Sequence, residues 1–178
     1  QILARLGVSK LFAFGVLGIL YEARLIEVAV FMRFAYRLLR GTPRAWLIRM
    51  TDRSGLVRGV RETLRVLRRQ GHVLVLTSSG IPDFAVRRLA QKVGAHFGLG
   101  IRVEERRGYL TGHIAISDCY GSSKVDAVRR LVVRHELQDL EVVAVANDRN
   151  NVPLLTFAEL PIGFRPDRVA RRYARAVV

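Results

Sequence analysis

The sequence predicts an α/β fold, a parallel sheet of buried strands covered on both faces by helices. Three observations predict it. Short, continuous apolar runs recur along the chain: KLFAFGVLGIL at Lys10–Leu20, HVLVL at His72–Leu76 and LEVVAVA at Leu140–Ala146. Runs of this kind suit strands buried on both faces. Stretches in which apolar and basic residues segregate lie between them, and Gly or Pro punctuates the junctions. Strand-type and helix-type segments in alternation are the pattern of βαβ units.

Each element has its own signal. Lys10–Leu20, with Gly15 and Gly18, reads as a buried strand ending in a tight turn. Glu22 to about Arg40 is rich in helix formers and is broken by Gly41-Thr42-Pro43. Thr42 is placed to cap, and Pro43 to open, a short helix to about Met50. Leu56–Gln70 reads as an amphipathic helix closed by Gly71. The HVLVL strand runs into Thr77-Ser78-Ser79-Gly80, and Pro82 opens a helix to about Val93, closed by Gly94. Ile101–Glu105 and Leu110–Ile116 alternate around Arg107-Gly108 as a hairpin would. Lys124 to about His135 is helical, and LEVVAVA is the third buried strand. After a polar loop come a short helix, Val152–Glu159, a short strand, Leu160–Phe164, and a closing helix from Asp167 to about Val177.

Composition narrows the class. With 178 residues, half of them hydrophobic and 25% charged, the chain can bury one core, and the composition argues against wholesale disorder. Cys119 is the lone cysteine, which excludes an internal disulfide and fits a reducing, cytoplasmic setting. No apolar run reaches the roughly 18 residues of a membrane span. Leu11–Tyr21 has the apolarity of a signal peptide but no small-x-small cleavage site, and Glu22, Arg24 and Glu27 follow at once. Net charge is +15 and the pI about 11.4, a balance that favours polyanions: RNA, DNA or an anionic membrane surface. Apart from Lys10, Lys92 and Lys124 every basic side chain is arginine, which contacts phosphate bidentately. Codon bias can account for arginine over lysine. It does not account for 30 basic against 15 acidic residues.

In open α/β sheets ligands sit at the carboxyl ends of strands. Gly15–Leu20, Thr77–Gly80, Lys124 and Asn147–Asn151 fall at or beside such ends. With the flanking text VLVLTSSGIPDFAVRRLAQKVG, GYLTGHIA, GSSKVDAV and NDRNNVPLLTFAELPIGFRPD, their order resembles the four motifs of the haloacid dehalogenase superfamily, phosphoserine-phosphatase-like branch. The resemblance runs from about Lys10 to Val178. It implies a Rossmann-like core formed by residues 1–21 and 55–178, with residues 22–54 as a reduced helical cap.

The resemblance also implies roles. The family's first motif, D-x-D-G-T, supplies a nucleophilic Asp and a second Asp that moves protons. The matching positions are Gly15 and Leu17, with Gly18 retained and Ile19 in place of Thr. Gly15 offers no nucleophile and Leu17 no proton relay. Acidic Mg²⁺ ligands of the fourth motif match Asn147 and Asn151, ahead of Pro153-Leu154-Leu155, with Asp148 where a small hydroxyl residue belongs. Two neutral amides make a poor cage for a hard cation, so neither metal nor cofactor is expected. Thr77, helped by Ser78 and Ser79 and by the helix starting near Pro82, matches the phosphate-binding second motif, and Lys124 the third-motif lysine. Thr77, Ser78 and Lys124 form a residual anion site, or else Thr77 ties off a turn and Lys124 pairs with Asp148 or meets solvent.

His72, His96, His113 and His135 show no metal-binding spacing. The basic charge falls in stripes: Arg33, Arg37, Arg40 and Arg44; Arg58, Arg61, Arg65 and Arg68; and Arg168, Arg171, Arg172 and Arg175. Each alone resembles a solvated helix face. Together, with Phe34, Tyr36, Trp46 and Tyr173 among them, they suggest a surface for structured RNA. The expectation is therefore a catalytically inactive relative that binds RNA, ribosomal RNA or that of another ribonucleoprotein, with the ribosome the best guess. A pseudo-phosphatase that senses a small phosphorylated ligand or regulates a partner is the alternative. A working phosphatase with chemistry not visible in these motifs is a third reading.

Overall fold

A computed structural model of the chain describes residues 8–116 and 122–178. The chain divides into two compact units, Gln1–Ser117 and Asp118–Val178. Cys119 lies outside the described residues.

The first unit begins with α1 (Val8–Glu22), α2 (Val28–Leu38), α3 (Arg44–Arg53) and α4 (Val60–Arg69). Strand β1 (Val75–Pro82), helix α5 (Asp83–Val93), and strands β2 (Phe97–Arg106) and β3 (Tyr109–Ile116) complete it. β1 pairs parallel with β2, and β2 antiparallel with β3. Helix α5 is the crossover of the parallel pair. It starts after Pro82, whose fixed φ suits a helix entrance, and ends at Gly94, which takes the left-handed conformation at φ 78°. Gly98 and Gly100 let this helix approach β2. A Cβ on Gly98 would stand 2.7 Å from the backbone nitrogen of Arg87, and one on Gly100 2.6 Å from the carbonyl oxygen of Ile81. Leu74, Ala90, Val93 and Ala95 form a buried cluster here, with Leu64, Leu67 and Leu89 packed against it.

The segment between α2 and α3 is anchored on the hairpin. Gly41 N–H donates to the Leu110 carbonyl, Leu110 N–H to that of Thr42, and Arg44 N–H to that of Gly108. Pro43, not Thr42, occupies the cap position of α3, and no side chain caps that helix.

The second unit contains α6 (Ser122–Arg134), β4 (Val143–Ala146), α7 (Val152–Phe157), β5 (Leu160–Gly163) and β6 (Ala176–Val177). Its three strands are parallel in the order β4-β5-β6. A 3-10 turn at Arg149–Asn151 precedes α7, and a second at Ala170–Arg172 precedes β6. Parallel strands joined by helices in both units bear out the α/β expectation.

Three elements differ from the sequence reading. Lys10–Leu20 lies in helix α1 instead of a strand. Leu, Phe, Ala and Gly dominate this run and β-branched residues are few, so periodicity alone does not separate strand from helix. The helix expected from Glu22 starts at Val28, because Arg24 takes a positive φ of 61° and ends the preceding segment. The closing helix at Asp167–Val177 is a single 3-10 turn followed by β6, since the chain's last residues pair with β5. Arg168, Arg171, Arg172 and Arg175 therefore do not form a helical stripe. Arg33 and Arg37 are exposed on α2, Arg61 and Arg65 on α4, while Arg40 and Arg58 lie just outside those helices. Arg44 opens α3, pairs with Glu105 at 3.4 Å and stacks over the Phe84 ring. Among the described residues no helix is long and apolar enough to cross a membrane.

Candidate functional site

Two segments carry the predicted site residues, one in each unit. In the first unit, Thr77–Gly80 belongs to β1, whose register with β2 breaks between Thr77 and Pro82. Ser78 Oγ accepts from the backbone N–H groups of Gly80, at 3.3 Å, and Ile81, at 3.2 Å. It thus holds the local turn, as short hydroxyl side chains do. The Gly80 carbonyl accepts from the hydroxyl of Tyr36, a buried residue of α2, at 3.1 Å. Ser79 is different: its Oγ is buried and has no hydrogen-bond partner among the described residues. An unpaired buried hydroxyl costs free energy unless something satisfies it. The sequence reading placed Thr77 at the phosphate-binding position with Ser78 and Ser79 as helpers; of these, Ser79 carries the buried hydroxyl with no hydrogen-bond partner among the described residues. Three adjacent hydroxyl residues were the only sequence signal, and spacing cannot tell which one the turn consumes.

In the second unit, Lys124 sits in the first turns of α6 and is only 3% exposed. Its ammonium donates to Asn151 Oδ1 at 2.5 Å. Asn151 Nδ2 in turn donates to Asp148 Oδ1 at 2.8 Å, which also accepts from the Asn150 N–H at 3.0 Å. Lys124 is therefore linked to Asp148 through Asn151 and is not solvated. A buried ammonium needs such partners, because desolvation penalises its charge.

Asp167, which the sequence reading did not single out, holds this loop from the far side. One carboxylate oxygen accepts from the Arg149 N–H at 2.9 Å. The other accepts from Val169, at 2.9 Å, and Ala170, at 2.7 Å. Its own N–H donates to the Asn147 carbonyl at 2.7 Å. Burial alone would raise the Asp167 pKa. Hydrogen bonds from Ala170, Arg149 and Val169, with the Arg149 charge, outweigh burial and hold it below the ordinary aspartate value.

The donor set does not fit Mg²⁺. Asn151 Oδ1, an amide oxygen at one matched ligand position, faces the buried Lys124 ammonium. The Asn147–Asn151 loop offers one carboxylate, Asp148, where a hard cation favours several anionic oxygens. Among the described residues no group of three or more His, Cys, Asp or Glu side chains is placed to hold a metal.

The chain matches the haloacid dehalogenase-like hydrolase family over residues 4–156. It is 30% identical over 138 residues to a phosphoserine phosphatase of Archaeoglobus fulgidus, covering 78% of this chain and 40% of that protein. A phosphoserine phosphatase of Methanocaldococcus jannaschii is 24% identical over 133 residues, covering 75% of this chain and 63% of that one. The chain thus spans less than two thirds of these relatives' lengths. Among solved structures, a haloacid dehalogenase family hydrolase from Salmonella enterica superimposes with a TM-score of 0.85 at 21% identity, covering 94% of this chain and 57% of that one. A substrate-bound phosphoserine phosphatase complex gives 0.79 at 21% identity, covering 94% and 80%. At that identity the likeness shows the fold.

These findings correct the expectation of a catalytically inactive, RNA-binding component of a ribonucleoprotein. The relatives are named as phosphatases and hydrolases, which points to phosphatase chemistry, and nothing in them supports the phosphate-sensing pseudo-phosphatase. Gly15 and Leu17 were expected at the end of a first strand. They stand inside helix α1 and not at the end of a strand. On the family match over residues 4–156, the chain belongs to the haloacid dehalogenase-like hydrolase family.

Proposed function

We propose that the protein is a phosphomonoester hydrolase of the phosphoserine-phosphatase type, acting on phosphoserine or a small phosphate ester of similar charge. The observation that carries this reading is the family match over residues 4–156, with phosphoserine phosphatases among the relatives. The Lys124–Asn151–Asp148 chain of hydrogen bonds supports it, because a lysine ammonium and a carboxylate are the groups that phosphate-ester hydrolysis uses.

Within this reading the Lys124 ammonium offsets phosphate charge and Asp148 takes a proton. The oxygen of water bonds to phosphorus as the ester P–O bond breaks. A water proton passes to the Asp148 carboxylate, and the leaving alkoxide is protonated from solvent. In this scheme the attacking nucleophile is water. A cytoplasmic place of action belongs to the same proposal, since a lone cysteine suits a reducing compartment.

The test is phosphate release from phosphoserine and from an aryl phosphate by the purified full chain. Turnover is expected, with Lys124→Ala and Asp148→Asn each lowering kcat/KM by about a hundredfold or more, the scale of a lost charge or acid–base group. No release above the uncatalysed rate would sink the reading. Turnover untouched by either substitution would place the chemistry elsewhere in the chain.

A further inference from the structure

Asp167 makes more hydrogen bonds to backbone than any turn at its position needs. A residue that only started the Ala170–Arg172 turn would accept from Val169 and Ala170, as Asp167 Oδ1 does. Its Oδ2 is turned the other way and accepts from Arg149, the residue after Asp148. Its backbone N–H reaches the Asn147 carbonyl, the residue before Asp148. One residue thus grips the loop on both sides of Asp148. The loop's inner face is already committed: Asp148 to Asn150 and Asn151, and Asn151 to Lys124. Residues 147–151 are therefore held between α6 on one side and Asp167 on the other. Charged hydrogen bonds to backbone N–H groups are stronger than neutral ones, which suits a clamp carried by an otherwise exposed side chain.

We infer that Asp167 is a positioning residue, a clamp that sets the Asp148–Asn151 loop against Lys124 and so fixes the geometry of the phosphate-handling groups. The inference rests on the phosphatase reading for its consequence in catalysis, and on the hydrogen bonds alone for the clamp itself. Supporting groups that fix such a loop matter because small displacements of reacting groups carry large rate penalties.

One substitution separates the clamp from the cap. In Asp167→Asn the amide oxygen still accepts from Val169 and Ala170, and Asn is as good a cap as Asp. The other atom becomes an N–H donor facing the Arg149 N–H, so that bond is lost. Asp167→Ala removes both functions and serves as the structural control.

The experiment measures amide hydrogen exchange residue by residue in the wild type, Asp167→Asn and Asp167→Ala, together with kcat and KM on phosphoserine. In Asp167→Asn, exchange at Arg149 should rise about tenfold or more while Val169 and Ala170 keep their protection, as expected for a local opening. The kcat should fall with KM changed less. In Asp167→Ala all three amides should exchange faster. Wild-type exchange at Arg149 in Asp167→Asn would overturn the clamp. Faster exchange with unchanged kcat would reduce Asp167 to a structural role and overturn the positioning claim. Absence of turnover in the wild type would count against the phosphatase reading and not against the clamp, which exchange tests without any reaction.

Discussion

Helix α1 and strand β2 are both apolar, glycine-containing segments of the same unit, yet they are packed in opposite ways. In β2 the glycines face other backbone: at Gly98 and Gly100 an added Cβ would collide with the start of α5. Ile101 beside them is 0% exposed. In α1 an added Cβ at Gly15 or Gly18 would meet nothing within 4 Å. Phe12 is 74% exposed and Ile19 70%. Hydrophobicity therefore does not decide what is core. Close backbone approach does, and glycine marks it in β2 and not in α1. A helix that is apolar all round is ordinarily covered, so the comparison is open to direct attack by substitution.

The largest effect is expected at Ile101→Ala. The side chain is fully buried, and truncations of this kind cost about 2–5 kcal/mol through lost transfer energy and the cavity left behind. Chemical denaturation should show a lower midpoint with an unchanged slope. A cost below about 1 kcal/mol would show that β2 is not the core strand its burial indicates.

Next comes Gly100→Ala. The new methyl would meet the Ile81 carbonyl oxygen at 2.6 Å and Asp83 backbone atoms at 2.7 Å, and backbone cannot swing aside as a flexible side chain can. Overpacking of this sort costs about 1–3 kcal/mol. Gly15→Ala is its counterpart in α1 and should instead stabilise, because Ala is a better helix former than Gly by about 1 kcal/mol. The pair of melting curves should move in opposite directions. Movement in the same direction would remove the distinction between the two segments.

This contrast also separates what was legible in the sequence from what was not. Helix α5, the hairpin around Arg107-Gly108, α6, β4, α7 and β5 were legible, because each combines a periodic pattern with Gly or Pro punctuation at its ends. Lys10–Leu20 was not, since an unpatterned apolar run carries no period to read. Nor was the end of the chain. PDRVARRYARAV has helix-forming arginines, but pairing of Ala176 and Val177 with β5 overrides that preference. In the candidate site, Thr77, Ser78, Ser79, Lys124 and Asn151 were legible as residue types in order. Which hydroxyl the turn leaves unpaired, and the clamp at Asp167, were not, because both depend on which atoms the fold brings within hydrogen-bond reach. Inactivity was expected from residue types alone, at Gly15 and Leu17; the run that carries them is a helix, and the relatives are named as phosphoserine phosphatases.

The smallest effect is expected at the exposed face of α1. Phe12, Val16 and Ile19 recur at i, i+4 and i+7, so they share one side of the helix, and all three are exposed. Replacing a solvent-facing apolar residue removes no packing and leaves no cavity. Phe12→Ser and Ile19→Ser should each therefore change stability by no more than about 0.5 kcal/mol, the range of surface substitutions. The same changes in a buried strand would cost as much as Ile101→Ala, with the further penalty of a buried hydroxyl. Denaturant midpoints of the two variants, set beside that of Ile101→Ala, thus report on the environment of the segment. Midpoints close to wild type fit an α1 that lies on the surface. A loss of about 2 kcal/mol or more at Ile19 would place this run in a core after all, and would return Gly15 and Leu17 to consideration as residues at the end of a buried strand.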